Sequence, residues 1–360
     1  MIGEAHPQGN SERKMHGMDR RVFLQFTTYA GGVGAVNLAS AQQTSPNSPP
    51  LITANIDGAI RSGLKFLAGR QTEEGAFGAE GYRRNVAVVS LSGMAFMARG
   101  STPSRGPYGD VVNRCTRYIL SNCQENGFIG ADEYQSHGPM YGHGFSTLYL
   151  AEVFGMWPDT QLREQLTAAV RLIVQSQNPD GGWRYQPEPT EADISVTVCQ
   201  VMALRAARNS GIYVPNATIE RSVAYVKACQ NPDGGFGYTP QSQQSLFPRS
   251  AAGVVAMYSA GIYQGEEIRR ALAYLEPASG RMDQLKDQAN FLYGQYYAAQ
   301  TMWHAGGAKF QRWYAAISRT LLKSQRPNGS WSNDICAEYG TAMACLILQT
   351  PSNYLPIFQR

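Results

Sequence analysis

Four segments of this chain share one frame: a glutamine, three further positions, a glycine, one more position and an aromatic ring. They run from Gln71 to Phe77, Gln177 to Trp183, Gln230 to Phe236 and Gln325 to Trp331, and a fifth, starting at Gln124, is one residue shorter. Gln71, Gln124, Gln177 and Gln230 follow one another at intervals of 53 residues. The gap from Gln230 to Gln325 is 95, room for two shorter units, with Glu276 to Met282 as a degenerate fifth turn. Repetition at a fixed interval constrains a fold more than any local motif, because each unit must bury its apolar face against copies of itself.

Each frame sits between two helical patterns. The one before it is amphipathic, as in Ile219, Val223, Val226 and Ala228. The one after it is more apolar, over residues 86–97, 145–154, 196–207, 251–260, 296–303 and 339–348. Five of these end at or near a glycine (100, 155, 211, 261 and 306), where a left-handed helix cap is expected. Asn-Pro-Asp-Gly-Gly ends a helix at the residue before proline, and glycine supplies a positive φ. Six helical hairpins with short connections leave two architectures. An open solenoid needs polar end units, and the first and last units here are no more polar than the middle ones. The expectation is therefore an all-α, closed (α/α)6 toroid, with the apolar second helices inside.

The N-terminus reads as a signal rather than as fold. Arg20-Arg21 and the apolar Val22-Phe23-Leu24 precede a Gly/Ala-rich stretch from Phe26 to Leu38, and Ala39-Ser40-Ala41 offers small residues for cleavage. We expect residues 1–41 to be a twin-arginine export signal, with translation starting at Met1, Met15 or Met18 and the destination periplasmic or extracellular. Residues 42–50 form a Ser/Pro/Gln linker, and the folded body spans 51–360. The signal segment is too short and polar to span a bilayer, so an integral membrane protein is not expected. Charged residues are 16% of the chain and the net charge is +4, with no basic block of the kind that binds nucleic acid. Twin-arginine substrates fold in a reducing compartment, so the six cysteines are expected to be mostly free and buried.

The repeat Q-x-x-x-G-x-W/F resembles that of squalene–hopene and oxidosqualene cyclases, and its Gly-Gly-Phe/Trp turns are similar to those of protein prenyltransferase β subunits. The resemblance covers nearly all of the chain after residue 51 and implies a single toroid, where the full cyclases have two. It also implies two chemistries. Class II cyclases protonate an alkene with the motif D-x-D-D-T at the start of an inner helix, which falls here on Glu191 to Thr197. Two registers are open. One places the acid at Ser195, which cannot protonate an alkene; the other keeps it at Asp193 and loses the last Asp. A helix cap is the competing role for Asp193. The prenyltransferase zinc site needs Asp-x-Cys and a downstream histidine. Asp334-Ile335-Cys336 has the spacing, but no histidine follows it, so no metal or other cofactor is expected and Asp334 reads as a cap.

In a ring of this kind the inner helices run parallel and their N-termini meet at one mouth. The residues there supply the candidate site: Glu191, Asp193 and His143 as catalytic candidates, with Tyr141, Ser195, Arg249, Tyr293, Tyr296, Glu338 and Tyr339 as binding candidates. The positive ends of the helix dipoles favour an anionic or polar head group, and aromatic rings deeper down favour an apolar tail. The function expected is binding of, or action on, an isoprenoid or similar lipid in the central cavity. A non-catalytic scaffold of the cell envelope is the alternative, and a zinc-dependent prenyltransferase-like enzyme the lesser one.

Overall fold

The computed structural model describes residues 50–131 and 138–359. The expected export signal, all but the last residue of the linker and His137 lie outside the described residues.

The outer helices form because their apolar residues recur on one face. In α3 (Gly109–Ser121) the buried set includes Val111, Val112, Cys115, Tyr118 and Ile119, and in α5 (Thr160–Gln175) it is Leu162, Leu166, Ala169, Val170 and Ile173. The same pattern builds α1 (Ala54–Arg70), α7 (Asn216–Ala228), α9 (Glu266–Leu275) and α12 (Gly307–Ser324). The inner helices are buried nearly all round: α2 (Val86–Met97), α4 (Pro139–Met156), α6 (Ile194–Asn209), α8 (Phe247–Ser259), α11 (Phe291–Ala305) and α13 (Ala337–Gln349). Each inner helix packs on the next, and α13 packs back on α2, so the ring closes. No strand occurs among the described residues.

The turn frame explains the closure. Gln177 Nε2 donates to its own turn at Gly181 O (2.8 Å) and to Thr218 O in the next outer helix (2.9 Å). Gln71 and Gln230 do the same toward Val111 and Glu267. Gln325 donates to Gly329 O and to Ala59 O, both at 2.9 Å, which ties the last hairpin to the first. The turn glycine has to be glycine for two reasons. Gly181 has φ +98°, and a Cβ there would lie 2.2 Å from Arg221 O. Gly329, with φ +89°, would meet Ser62 O at 2.5 Å. The aromatic then folds back: Trp183 Nε1 donates to Ile173 O and Trp331 Nε1 to Leu321 O, each ten residues upstream.

Several boundaries differ from expectation. α4, α8 and α11 start four to six residues earlier than the apolar runs, because His143, Ser250 and Gln295 are polar yet buried and bonded. Gly155 lies within the last turn of α4 rather than capping it. The fifth turn is a 3-10 segment, Glu276–Arg281, followed by the one-turn α10 (Met282–Leu285), with Glu276 bonded to Lys309 and Arg312. All six cysteines are free thiols.

The two constraints on the turn glycine separate experimentally. Gly211 has φ +89° but open space where a Cβ would go. Gly211→Ala is expected to cost about 1–2 kcal/mol from backbone strain alone. Gly181→Ala adds a collision with backbone and is expected to cost roughly 2–5 kcal/mol in urea unfolding.

Candidate functional site

Two of the turns place a further backbone carbonyl at the mouth. Two residues beyond the turn aromatic, Tyr185 O accepts from Met140 N at the start of α4 and Tyr238 O accepts from Ile194 N at the start of α6, both at 3.0 Å. These two turns thus cap the preceding inner helix and place their tyrosines on the wall of a cavity. This cavity has a volume of about 440 Å³ and lies at the N-terminal ends of the inner helices. Six tyrosines line it, one from each hairpin: Tyr82, Tyr141, Tyr185, Tyr238, Tyr293 and Tyr339. Phe145, Val88 and Ile335 supply apolar wall, and Asn85, Ser195 and Asn290 supply polar groups. Burial holds the phenols of Tyr141, Tyr293 and Tyr339 protonated, well above the usual tyrosine range.

Four of the sequence-derived candidates, Tyr141, Ser195, Tyr293 and Tyr339, stand together on this wall. Tyr293 also donates to Ser195 O at 3.4 Å, linking α11 to α6. The others stand elsewhere. Tyr296 is 2% exposed and packs edge-on to Phe145 and Tyr297, behind the wall. Arg249 lies over the Tyr238 ring (5.7 Å) and donates to Gln244 O. Glu338 is 2% exposed and accepts from Arg70 Nε at 2.8 Å, beside a separate groove with Asp334 and Cys336. Cys336, not Asp334, caps α13, through Tyr339 N. Among the described residues no three of His, Cys, Asp or Glu gather as a metal site. Glu191 is 70% exposed on an outer groove, 3.6 Å from Arg184.

His143 does not reach the cavity. Its Nδ1 accepts the backbone N–H of Ile129 (3.1 Å), and its Nε2 faces Ala169 O at 3.2 Å, which sets the neutral Nε2–H tautomer. Ile129 holds the turn-aromatic position of its hairpin. Thr197, Ser250 and Thr341 accept the corresponding N–H of Trp183, Phe236 and Trp331. His143 therefore does the work of a hydroxyl, anchoring its turn to the inner helix.

Asp193 is fully buried at the start of α6. Its Oδ1 accepts from Ser195 N (2.8 Å) and Val196 N (3.0 Å), the cap geometry. Its Oδ2 accepts from the Tyr238 hydroxyl (3.1 Å), and Arg184 lies 3.7 Å away. Burial raises its pKa and outweighs the hydrogen bonds and Arg184, which pull it down. Tyr238 in turn contacts the Tyr185 hydroxyl at 2.7 Å, and Arg184 stacks on both rings. Reading only helix starts misses Tyr82, Tyr185 and Tyr238, which lie in the preceding turns. Tyr185 and Tyr238 are 53 residues apart, the interval of the repeat, and that signal was present.

The sequence profile of the prenyltransferase alpha-alpha toroid domain matches residues 64–275, more than half of the chain. The chain belongs to that family. Drimenyl diphosphate synthase of Streptomyces showdoensis is 23% identical over 256 residues, covering 69% of this chain and 43% of the relative. This chain thus spans less than half the length of the curated relatives it matches. Among solved structures, a variant of the type II terpene cyclase MstE from Scytonema, bound to its substrate geranylgeranyl dihydroxybenzoate, superposes with a TM-score of 0.57. The identity is 15%, and 84% of this chain and 98% of that one are covered. An α-1,6-mannanase of Salegentibacter, bound to mannotriose, gives 0.62 at 7% identity, covering 83% and 99%. At these identities the solved structures establish the shared fold alone, an α/α toroid.

The His143 geometry makes stability depend on pH. Burial lowers its pKa from 6.5 to about 4, so the unfolded chain takes up a proton that the folded chain refuses. The contribution is complete above pH 6.5 and is lost as pH falls toward 4. Between pH 7 and pH 5 the folded state is expected to lose roughly 2 kcal/mol from this group. His143→Thr, the residue used by two other hairpins, is expected to remove that part of the pH dependence in urea titrations.

Proposed function

We propose that this protein binds an isoprenoid in the tyrosine-ringed cavity, outside the cytoplasm, with the chain's apolar part in the cavity and its polar head toward the mouth. The observation that carries the reading is the cavity itself: one tyrosine from each hairpin around an apolar wall, at the positive ends of six parallel helices. Its volume lies within the ~300–1,000 Å³ of small-molecule sites. Tyrosine faces suit unsaturated hydrocarbon, and hydroxyls and helix N-termini suit an oxygen-rich or anionic head. The terpene cyclase-like toroid and the names of the relatives support this class over a sugar, although a mannanase shares the fold.

Export rests on Arg20-Arg21, the small-residue stretch behind them and the Ser/Pro/Gln linker. Substituting both arginines by lysine should retain a reporter fused behind residue 50 in the cytoplasm; undiminished export would remove this part of the reading.

Binding is tested with farnesyl diphosphate by calorimetry and tyrosine fluorescence. Wild type is expected to bind it, and Ala87→Trp, which fills the cavity from its wall, is expected to weaken binding by ~10-fold or more. Equal affinity in both proteins would place the ligand elsewhere.

A further inference from the structure

A carboxyl that does not reach the cavity sets the order of the protons on its wall. Asp193 is fully buried, and its Oδ2 accepts the one hydroxyl proton of Tyr238, a lining residue, at 3.1 Å. The hydroxyl oxygens of Tyr238 and Tyr185 are 2.7 Å apart. Since the Tyr238 proton is committed to Asp193, the proton between the two phenols is that of Tyr185. Both protons run toward Asp193, so this stretch of wall has oxygen lone pairs to offer a ligand and no proton to give. We propose that the isoprenoid held here carries a hydroxyl head group, an alcohol or phenol rather than a diphosphate, and that Asp193 selects it by holding Tyr238 and Tyr185 as acceptors toward the cavity. This rests on the isoprenoid reading above and names the head group of that ligand.

The cap of α6 does not require a carboxyl. Asn85 caps α2 with the same geometry, its Oδ1 accepting from Ala87 N (2.9 Å) and Val88 N (3.3 Å). An acid differs from an amide at its second heteroatom, which accepts where the amide nitrogen would donate. An asparagine at 193 would keep Oδ1 on Ser195 N and Val196 N and turn its nitrogen to the Tyr238 oxygen. Tyr238 would then donate to Tyr185, and the Tyr185 proton would turn to the cavity. The identity of this one buried residue thus decides whether the wall gives or takes a proton.

A diphosphate also needs opposite charge, and the wall is neutral. Among the described residues, every side chain lining the cavity is uncharged: phenols, carboxamides, one serine hydroxyl and hydrocarbon. Arginines adjoining the helix starts are engaged elsewhere, Arg184 with Asp193 and Glu191, Arg84 with Glu74 and Arg70 with Glu338. Arg249 lies over the Tyr238 ring and donates to Gln244 O. Helix-start N–H groups that would draw an anion already have acceptors in Asn85, Asp193 and the carbonyls of Tyr185 and Tyr238. An anion entering here exchanges its water for neutral groups alone, which is costly. A hydroxyl gives its one proton to the tyrosine pair and accepts one from the other hydroxyls and amides of the wall.

Calorimetry on the full chain compares farnesol, farnesyl methyl ether and farnesyl diphosphate, three ligands with one tail. Wild type is expected to bind farnesol ~10-fold tighter than the ether, which lacks the proton. It is expected to bind farnesol at least ~30-fold tighter than the diphosphate. Asp193→Asn is expected to erase the preference over the ether and to narrow that over the diphosphate by ~10-fold, with the cap kept. Tyr238→Phe, which leaves Asp193 and the cap in place, is expected to erase the preference over the ether too, because it frees the Tyr185 proton. A diphosphate bound as tightly as farnesol, or a preference over the ether unmoved in both variants, overturns the proposal and leaves the isoprenoid reading standing. If none of the three binds, that reading falls, and infrared difference spectra of the free protein decide the proton order. The Tyr238 C–O stretch, assigned with Tyr238→Phe, must shift in Asp193→Asn. An unshifted band refutes the selection by Asp193.

Discussion

One side-chain amide, used twice, sets the register of this molecule. Gln71, Gln177, Gln230 and Gln325 each donate one proton to the glycine of their own turn and the other to a carbonyl of the neighbouring outer helix. At about 1 kcal/mol net per hydrogen bond, these clamps are small beside the burial of six inner helices. Their effect lies in geometry. A hydrophobic helix can rotate or slide against its neighbour at modest cost, but the clamp admits one offset per hairpin. Where the last clamp meets Ala59, the accumulated offsets close to a ring. An error in any unit would leave α13 and α2 unpaired and their apolar faces in water.

The cavity follows from that register. The N-terminal ends of the inner helices, with their unpaired N–H groups, meet at the cavity. The chain meets them with polar side chains whose own demands differ. Asn85 and Asp193 cap directly, Tyr185 and Tyr238 cap through their carbonyls, and Glu338 brings a buried charge that Arg70 balances. Acids at these positions gain from the helix dipole, which explains why buried carboxylates occur here at the mouth.

The architecture was legible in the sequence because it depends on spacing, and spacing survives in the linear chain. So was half of the tyrosine ring, since Tyr141, Tyr293 and Tyr339 stand at helix starts. The rest depends on which way a side chain turns. Glu338 and Tyr339 are adjacent, yet one faces Arg70 and the other the cavity. Arg249 lies in the first turn of α8 but sits over the Tyr238 ring, and Tyr296, one helical turn from Tyr293, packs edge-on to Phe145. The fifth turn was legible only as a degenerate copy at Glu276 to Met282, because it dispenses with the glutamine clamp and uses Glu276 with Lys309 and Arg312 instead.

Departures from the repeat are the natural place to look for chemistry in such a chain, and His143 shows why departure alone is insufficient. It replaces a hydroxyl found in three other hairpins, in a position that would draw attention in any survey of titratable groups. Both its nitrogens are committed to backbone, and protonation would set an N–H against the N–H of Ile129. Asp193 is a departure of the other kind. One of its oxygens does the structural work that Asn85 does elsewhere, and the second is left to engage a residue of the cavity wall. The criterion that separates the two is therefore whether any valence remains after the backbone has been satisfied. His143 has none, and Asp193 directs its remaining oxygen to the hydroxyl of Tyr238.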